Sequence, residues 1–575
     1  MNPCFKFFAL ALSVAAVAHQ AHAQPVAKRD PATGTAKAGS ITGRVLADGQ
    51  AVVNASVTVT RVNAPTASRF APTNDNGDFE AKALDAGVYR VRAAAPGYVA
   101  TPSDADEETY YRVGDVILLT MIKGSVITGK VTNANNEPVV AVRVRALMIR
   151  DSEGKTVVAP DSSNDRFTDD RGIYRIFGLR PGTYVVYAGG RGSTGYGVNA
   201  FDNDAPTYAP SSTRDTAAEI ALASGEEQAI DIRYRAETGH SVSGSAIANA
   251  NTRQLWITIR LARLSDGAPD ITFSTQQNST AKGFEFQGVA DGEYLIWAQY
   301  SPTPGDAVIS EARRITVRGA DVTGIELITK PLATVAGDFI LERSKIESCK
   351  GKRAPAFDET VVAIQRKPRP AEKDRAELAL FSSAQATPDA SGHFVLRNLS
   401  SGAYDFDARF FSRYWYLRSI QTASTAASTR TDAMNGASTG LLSLKAGESL
   451  TGIKIVLAEG AASLAGQLQL PKDEKLDAGA IVYLVPAEKE AANDALRFFI
   501  TQIHTDGSFE FNNLPPGRYW SIVKVPTDKD AKSTKALRLA EAADMRAKLR
   551  NEAAAIDHAL ELHECQNLSN YQLLP

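Results

Sequence analysis

Few residues of this sequence have the types and spacing that metal-dependent catalysis requires. His558 and Glu561 lie three positions apart with His563 close by, and a His-x-x-Glu pair can supply two ligands to Zn²⁺. A catalytic zinc site also needs a distant second histidine and a general base. His558 falls in a segment whose apolar spacing predicts a helix, so we expect a solvated helix face here. The sequence therefore favours a protein that is not an enzyme.

A second set of oxygen donors alternates as calcium ligands do. Asn74, Asn76 and Asp78 surround Gly77, but the bidentate glutamate that closes a calcium loop is missing. The same segment coincides with a turn that recurs elsewhere in the chain. We therefore expect turn chemistry, and we expect neither a metal nor a cofactor.

Aromatic clusters are the third group of candidate residues, because sugars stack on exposed aromatic side chains. The candidate platforms for polysaccharide binding are Tyr414-Trp415-Tyr416, Trp297 with Tyr300, and Tyr110-Tyr111. Aromatic residues at strand spacing are more often part of a core or an interface. Both interpretations stay open at this point.

The N-terminal segment has the features of a secretory signal peptide. Lys6 is followed by an apolar run from Phe7 to Ala18, and Ala21-His22-Ala23 provides small residues for cleavage after Ala23. The run is shorter than the roughly 20 residues that span a bilayer, and no later segment is long and apolar enough. We expect a secreted or periplasmic protein without a transmembrane segment after cleavage.

Cysteine content and charge limit the disulfides that the chain can form and the partners that it can bind. Cleavage would remove Cys4 and leave Cys349 and Cys565, which could form a disulfide in an oxidising compartment or remain two thiols. The chain has 63 Lys and Arg against 65 Asp and Glu. It therefore has no broad basic field to attract phosphate backbones, and we expect no nucleic-acid partner.

The elements that must position these residues follow from a repeat. A Leu-x-x-Gly-x-Tyr phrase recurs five times, with valine replacing leucine in the third copy, and ends at Tyr89, Tyr184, Tyr294, Tyr404 and Tyr519. An aromatic residue precedes each of its glycines by eight positions. An upstream strand has a glycine between apolar neighbours, at Gly43, Gly129, Gly244, Gly337 and Gly466. Alternating runs between these landmarks predict seven or so short strands per copy, which is typical of a sandwich.

Three of these patterns together resemble a known family. The apolar-x-Gly-x-apolar strand, the Asp-rich turn before Gly77, Gly172, Gly392 or Gly507, and the Leu-x-x-Gly-x-Tyr strand are similar to the bacterial carboxypeptidase regulatory-like domain. The resemblance implies a transthyretin-like sandwich, within the broader carbohydrate-binding-like fold, and covers nearly the whole mature chain.

The predicted architecture is all-β, a series of tandem antiparallel β-sandwich modules of transthyretin-like or Ig-like type with a C-terminal α-helical segment. Apolar spacing from Ala536 to Leu562 predicts that helical segment, packed on the fifth module. The predicted boundaries are a signal peptide (1–23), a linker (24–38), modules at 39–122, 123–235, 236–330, 331–458 and 459–527, and a helical tail (528–575).

The function that this architecture predicts is binding. Tandem sandwiches bury their own cores and present edges and loops, so we expect a non-enzymatic scaffold that contacts envelope proteins. The alternative is a polysaccharide-binding protein that uses the aromatic platforms.

Overall fold

The computed structural model confirms the predicted all-β sandwich architecture. It describes residues 38–62, 64–101, 109–157, 165–190, 200–248, 256–265, 268–278, 283–367, 381–421, 442–469, 480–504, 506–524, 543–556 and 558–573. The predicted signal peptide and most of the linker lie outside these ranges. Five successive stretches form sandwiches, which we number modules 1 to 5. Each has two facing sheets, and in module 3 one strand pair joins the two into a continuous 8-stranded sheet.

Each module has a first sheet that contains its glycine-bearing strand. In modules 1 and 2 these strands are β1 (Ala38–Ala47), β2 (Gln50–Ala51), β5 (Asp78–Asp85), β7 (Tyr98–Ala100) and β9 (Val116–Lys123), then β10 (Ser125–Thr132), β13 (Ile173–Leu179), β17 (Glu227–Ala229) and β18 (Ile232–Arg233). In modules 3 to 5 they are β19 (His240–Ile247), β22 (Phe284–Val289) and β26 (Val322–Pro331), then β27 (Ala333–Glu342), β30 (His393–Leu399), β32 (Trp415–Gln421) and β34 (Ser449–Glu459), then β35 (Ala462–Leu468), β38 (Ser508–Leu514) and β41 (Asn567–Leu573).

The second sheet of each module contains the strand that ends the repeated phrase. In modules 1 and 2 its strands are β3 (Ser56–Arg61), β4 (Ala64–Pro72), β6 (Val88–Ala94) and β8 (Tyr111–Arg112), then β11 (Arg143–Asp151), β12 (Arg166–Phe167), β14 (Gly182–Ala188), β15 (Thr207–Tyr208) and β16 (Ile220–Leu222). In module 3 they are β20 (Trp256–Ser265), β21 (Ala268–Asn278), β23 (Gly292–Tyr300), β24 (Val308–Ser310) and β25 (Arg313–Val317). In modules 4 and 5 they are β28 (Val361–Arg366), β29 (Ser383–Ala386), β31 (Gly402–Arg409) and β33 (Leu442–Leu444), then β36 (Ile481–Pro486), β37 (Phe499–Gln502), β39 (Gly517–Lys524) and β40 (Ala559–Leu562).

Helical structure is sparse in the described residues. One α-helix, α1, spans Ala543–Ile556, and short 3₁₀ turns occur at Arg214–Thr216, Glu347–Cys349, Phe357–Glu359 and Ala495–Arg497. No described helix is long and apolar enough to cross a membrane.

The first sheets are not purely antiparallel, because the first and last strands of each module pair in parallel. These pairs are β1 with β9, β10 with β17 and β18, β19 with β26, β27 with β34, and β35 with β41. Because the last strand runs parallel to the first, it ends at the far end of the module, where the next module begins. Its direction depends on contacts far apart in sequence, which local alternation does not encode.

The strand glycine in each module is explained by this parallel pair. A Cβ at Gly129 would lie 1.8 Å from the carbonyl oxygen of Ile230, and at Gly337 one would lie 2.3 Å from that of Ile453. The other three modules have the same approach, at 2.1 Å for Gly43, 2.0 Å for Gly244 and 2.6 Å for Gly466. Only glycine lets the two backbones come this close.

The repeated tyrosine also has one role throughout. In every module its hydroxyl donates a hydrogen bond to the backbone carbonyl four residues earlier, which closes the connection between the two sheets. The acceptors are Asp85, Arg180, Ala290, Ser400 and Pro515, at 2.7 to 2.8 Å. All five rings are buried, so each module places an aromatic side chain at the same corner of its core.

The Asp-rich turn is held by a side chain that accepts backbone hydrogen bonds. The side chain three positions before the turn glycine accepts two backbone N–H groups, as Asn74 does from Asn76 and Asp78 and Asp169 does from Arg171 and Ile173. The calcium-like oxygens of Asn74 and Asp78 are thus used by the turn and by the Arg44 ion pair.

The C-terminal segment differs from the predicted helical tail, because strands follow its helix. α1 ends at Ile556, and the chain then adds β40 to the second sheet and β41 to the first sheet of module 5. Leu560, Leu562 and Leu573 are buried in the core of that module. Alternating apolar residues after Ile556 have the period of a strand, which differs from the helical spacing that precedes them.

Candidate binding surfaces

The main aromatic platform predicted in module 4 is not available to a ligand. Trp415 is 0% exposed and lies in the core of the module, so its ring cannot stack against a sugar. Tyr414 is half-buried beneath Lys352, whose Nζ lies 4.5 Å from the ring centroid. Burial raises the pKa of the half-buried Tyr416. The expectation of an exposed platform here is corrected, because β32 turns Trp415 inward.

Trp297 and Tyr300 in module 3 were also expected to form an exposed platform, and both are buried. They are 5% and 6% exposed respectively. Trp297 packs on Leu264 and Leu295 and donates a 3.3 Å hydrogen bond from Nε1 to the side chain of Gln299, whereas Tyr300 faces the core. Whether an aromatic residue on a strand is buried depends on the apolar residues that pack around it. The presence of the aromatic residue in the sequence does not indicate those neighbours.

The candidate zinc pair is not on a helix. His558 follows the end of α1, Glu561 lies within β40, and His563 follows that strand. Among the described residues, no group of three or more His, Cys, Asp or Glu side chains could hold a metal ion. One further pattern was missed in the sequence: Gly436-Ala437-Ser438-Thr439-Gly440 has the spacing of a nucleophile elbow but lies outside the described residues. Strand β33 begins at Leu442, where an elbow would require a helix.

Cys349 and Cys565 are joined by a disulfide between modules 4 and 5. The joint around it has several polar contacts. Ser344 Oγ donates to Glu564 at 2.5 Å, and the Asn513 amide donates to the backbone carbonyls of Ser412 and Trp415, both at 2.7 Å. A covalent bond and these hydrogen bonds therefore act together at the joint.

Modules that are distant in sequence also meet, because module 1 contacts module 4. Glu359 of module 4 lies between two arginines, with its Oε2 3.6 Å from Nη1 of Arg112 and 2.6 Å from Nη2 of Arg353. Asp115 lies 3.7 Å from Nε of Arg112. Arg112, Asp115 and Glu359 are all less than 10% exposed, so this is a buried ion cluster.

The candidate platform residue Tyr110 belongs to the same contact. The guanidinium of Arg409 lies 5.5 Å from the Tyr110 ring centroid, and the Tyr110 hydroxyl donates to the side chain of Gln385. Arg112 also lies over the ring of Phe411 at 5.5 Å. Tyr110 is thus a residue of the interface between modules 1 and 4.

Neighbouring modules are joined by contacts of several kinds. Modules 2 and 3 have one continuous apolar cluster, in which Leu147, Ile149 and Tyr187 pack with the core of module 3. Modules 3 and 4 are linked by Arg397 with Asp306 at 2.8 Å, and the backbone N–H of Gly225 in module 2 donates to the carbonyl of Lys123 in module 1 at 3.0 Å. The described joints therefore favour a fixed arrangement over free tumbling.

Part of module 1 matches a known protein family. Residues 40–110 match the family model of the carboxypeptidase regulatory-like domain. The match covers module 1 from its glycine strand to the residue that contacts module 4. No curated protein matches the sequence.

Solved structures that match part of this chain include three bacterial proteins. The TIE protein of Bacillus anthracis is 14% identical with a TM-score of 0.15, and the alignment covers 51% of this chain and 51% of that protein. A streptococcal ancillary pilin is 12% identical with a TM-score of 0.15, covering 51% of this chain and 99% of the pilin. The minor pilin of Streptococcus agalactiae is 11% identical with a TM-score of 0.19, covering 35% and 97% respectively.

Module 1, which matches this family model, also has an exposed edge. β4 is the outer strand of its second sheet and has 9 residues; the corresponding strand has 11 residues in module 3 and 2, 4 and 4 residues in modules 2, 4 and 5. Phe70 on this strand is 71% exposed. A long edge strand with an exposed aromatic side chain is a site at which another protein can add a strand.

Proposed function

We propose that this chain is an exported, non-enzymatic scaffold of five carboxypeptidase regulatory-like modules that acts through protein–protein contacts at the cell envelope. The observation that carries the proposal is the contact between modules 1 and 4. It brings together modules far apart in sequence, so the chain forms one body with its binding surfaces at set positions. The glycine approach and the tyrosine hydrogen bond, present in every module, support the extension of the family from module 1 to the others.

The edge of module 1 is the proposed protein-binding surface. Phe70 lies on β4, whose outer side has no strand partner among the described residues. Backbone groups on such an edge provide affinity, and exposed side chains provide selectivity.

A photo-cross-linking amino acid at position 70 tests this proposal in cells of the source organism. The matched control is position 116, because Val116 is 67% exposed in the same module but lies on β9, an inner strand of its sheet. We expect a discrete protein adduct at position 70 and none at position 116. No protein adduct at position 70, or the same adducts at both positions, would contradict the proposal.

Export can be tested separately from the partner. The predicted cleavage after Ala23 requires a mature chain that begins at Gln24. N-terminal sequencing of the protein from the periplasm and the culture medium should give this residue. A chain recovered in the cytoplasm with Met1 intact would overturn the export part of the proposal.

A further inference from the structure

The outward surface of the second sheet in module 3 carries an exposed tryptophan among polar side chains. β20 turns Ile257, Ile259 and Leu261 into the core, so its alternate residues face outward. Strand register places the neighbours of β21 and β23 beside them. We call this surface the Trp256 face; its residues are Trp256, Thr258, Arg260, Gln276, Asn278 and Gln299, together with Ser274 and the buried Trp297, which lie opposite Arg260 on the two neighbouring strands.

Trp256 is the feature that distinguishes this face. Its side chain is 61% exposed, whereas Trp297 on the neighbouring strand is 5% exposed and Trp415 is fully buried. An exposed indole presents a flat apolar surface of the kind that packs on the C–H face of a sugar ring. Three amide side chains, those of Gln276, Asn278 and Gln299, surround it on the same sheet surface, and amides both donate and accept hydrogen bonds.

Arg260 gives the face its charge. It lies four residues along β20 from Trp256, about 13 Å in an extended strand. It forms no ion pair with any described residue, and no other residue of the Trp256 face is charged. Apart from this guanidinium, the side chains of the Trp256 face are uncharged.

We propose that the Trp256 face binds an acidic polysaccharide whose sugars carry carboxylates. The indole of Trp256 packs on a sugar ring, the amides bond to hydroxyl groups, and Arg260 pairs with a carboxylate further along the polymer. The charge complementarity between the single cation and an anionic chain identifies this occupant over a neutral glycan. The inference goes beyond the proposed scaffold role and depends neither on Phe70 nor on the contact between modules.

The experiment uses the whole mature chain with polygalacturonate and with its fully methyl-esterified form, which has the same sugar rings without the charge. Binding is followed by tryptophan fluorescence and by affinity electrophoresis. We expect saturable binding of polygalacturonate, with at least a tenfold weaker affinity for the methyl ester.

Three variants locate the site. Trp256→Ala should lower affinity for both polymers at least tenfold, and Trp256→Phe, which keeps an aromatic ring, should lose less. Arg260→Gln should lower affinity for polygalacturonate alone and make the two polymers bind equally. Phe177→Ala is the matched control, because it removes another exposed aromatic side chain, 49% exposed in module 2, and should change neither affinity.

Hydrogen exchange of β20 and β21 will show that each variant keeps its fold. Equal affinity of wild-type protein for both polymers would overturn the requirement for charge. Absence of saturable binding, or unchanged binding by Trp256→Ala, would overturn the site. The cross-linking result at Phe70 is independent of these outcomes, so failure here and failure of the scaffold proposal can be distinguished.

Discussion

At the scale of single residues, two residues recur in every module, a strand glycine and a buried tyrosine. The strand glycine admits the carbonyl of the parallel partner strand, and the tyrosine hydroxyl binds the carbonyl four residues earlier. Both residues satisfy constraints of the backbone rather than of a ligand. The repeated sequence phrase is therefore a signature of the fold and does not by itself indicate a function.

Gly129→Ala should destabilise module 2 strongly. Its new methyl group would lie 1.8 Å from the Ile230 carbonyl oxygen, so one of the two strands must move. We expect a loss of about 3 kcal/mol or more, with increased hydrogen exchange in β10 and β17. Gly154→Asn is the control, because this glycine has open space around it and asparagine tolerates its positive φ of +78°. Equal effects of the two substitutions would contradict the steric explanation.

Tyr519→Phe should lower the stability of module 5 by about 1–2 kcal/mol, because the buried Pro515 carbonyl loses its hydrogen-bond donor. The measurement is hydrogen exchange of β38 and β39 in the wild-type and variant chains. Tyr98→Phe is the control, since Tyr98 is 39% exposed. An unchanged exchange rate in Tyr519→Phe would show that the bond has no stabilising role.

The same buried tyrosines predict sensitivity to alkali. Burial raises the pKa of Tyr89, Tyr184, Tyr404 and Tyr519. The folded state therefore retains protons that the unfolded state releases above about pH 10, so the free energy of unfolding decreases as pH rises from that value. Tyrosinate absorbance should appear together with unfolding. Titration of these rings near pH 10 in the folded chain would contradict this prediction.

At the scale of elements, the parallel strand of module 5 has an unusual position. In modules 1 to 4 the parallel strand is followed, after one to six connecting residues, by the first strand of the next module. In module 5 the corresponding strand, β41, follows α1 and β40 in the sequence. The disulfide between Cys349 and Cys565 holds the chain two residues before β41 begins.

Replacing both cysteines by serine should release β41 more than any other part of module 5. We expect hydrogen exchange in Asn567–Leu573 to increase at least tenfold, because the cross-link that limits the unfolded chain is lost. β36 serves as the internal reference, since it lies in the middle of its sheet. Uniform protection in both strands would mean that the polar contacts of the joint are sufficient.

How much the sequence predicts depends on whether a feature is local. The strand pattern, the repeated landmarks and the family resemblance are local, and the sandwich follows from them. The burial of Trp415, the exposure of Trp256 and the pairing of β41 with β35 depend on contacts between distant segments. One signal for Trp256 was nevertheless present, because Trp256, Thr258 and Arg260 alternate with the apolar residues Ile257, Ile259 and Leu261.

At the scale of the whole molecule, the contact between modules 1 and 4 distinguishes a closed body from a flexible string. Glu359 is buried between Arg112 and Arg353, and removing one partner of such a cluster leaves an uncompensated charge. Arg112→Ala should therefore separate modules 1 and 4 and increase the radius of gyration measured by X-ray scattering. Arg175→Ala, which removes an exposed ion pair with Glu227, should leave the radius unchanged. If both variants retain the wild-type radius, the ion cluster does not hold these modules together.

The most direct test of the scaffold account is the distance between modules 1 and 4 in solution. Spin labels on Thr109→Cys and Ser383→Cys, both exposed residues near the contact, report it by pulsed electron paramagnetic resonance of the mature chain. The account predicts one narrow distance distribution, which broadens when Arg112→Ala is added. A broad distribution in the otherwise wild-type chain would contradict it, because the modules would then move independently and could not present their surfaces at set positions.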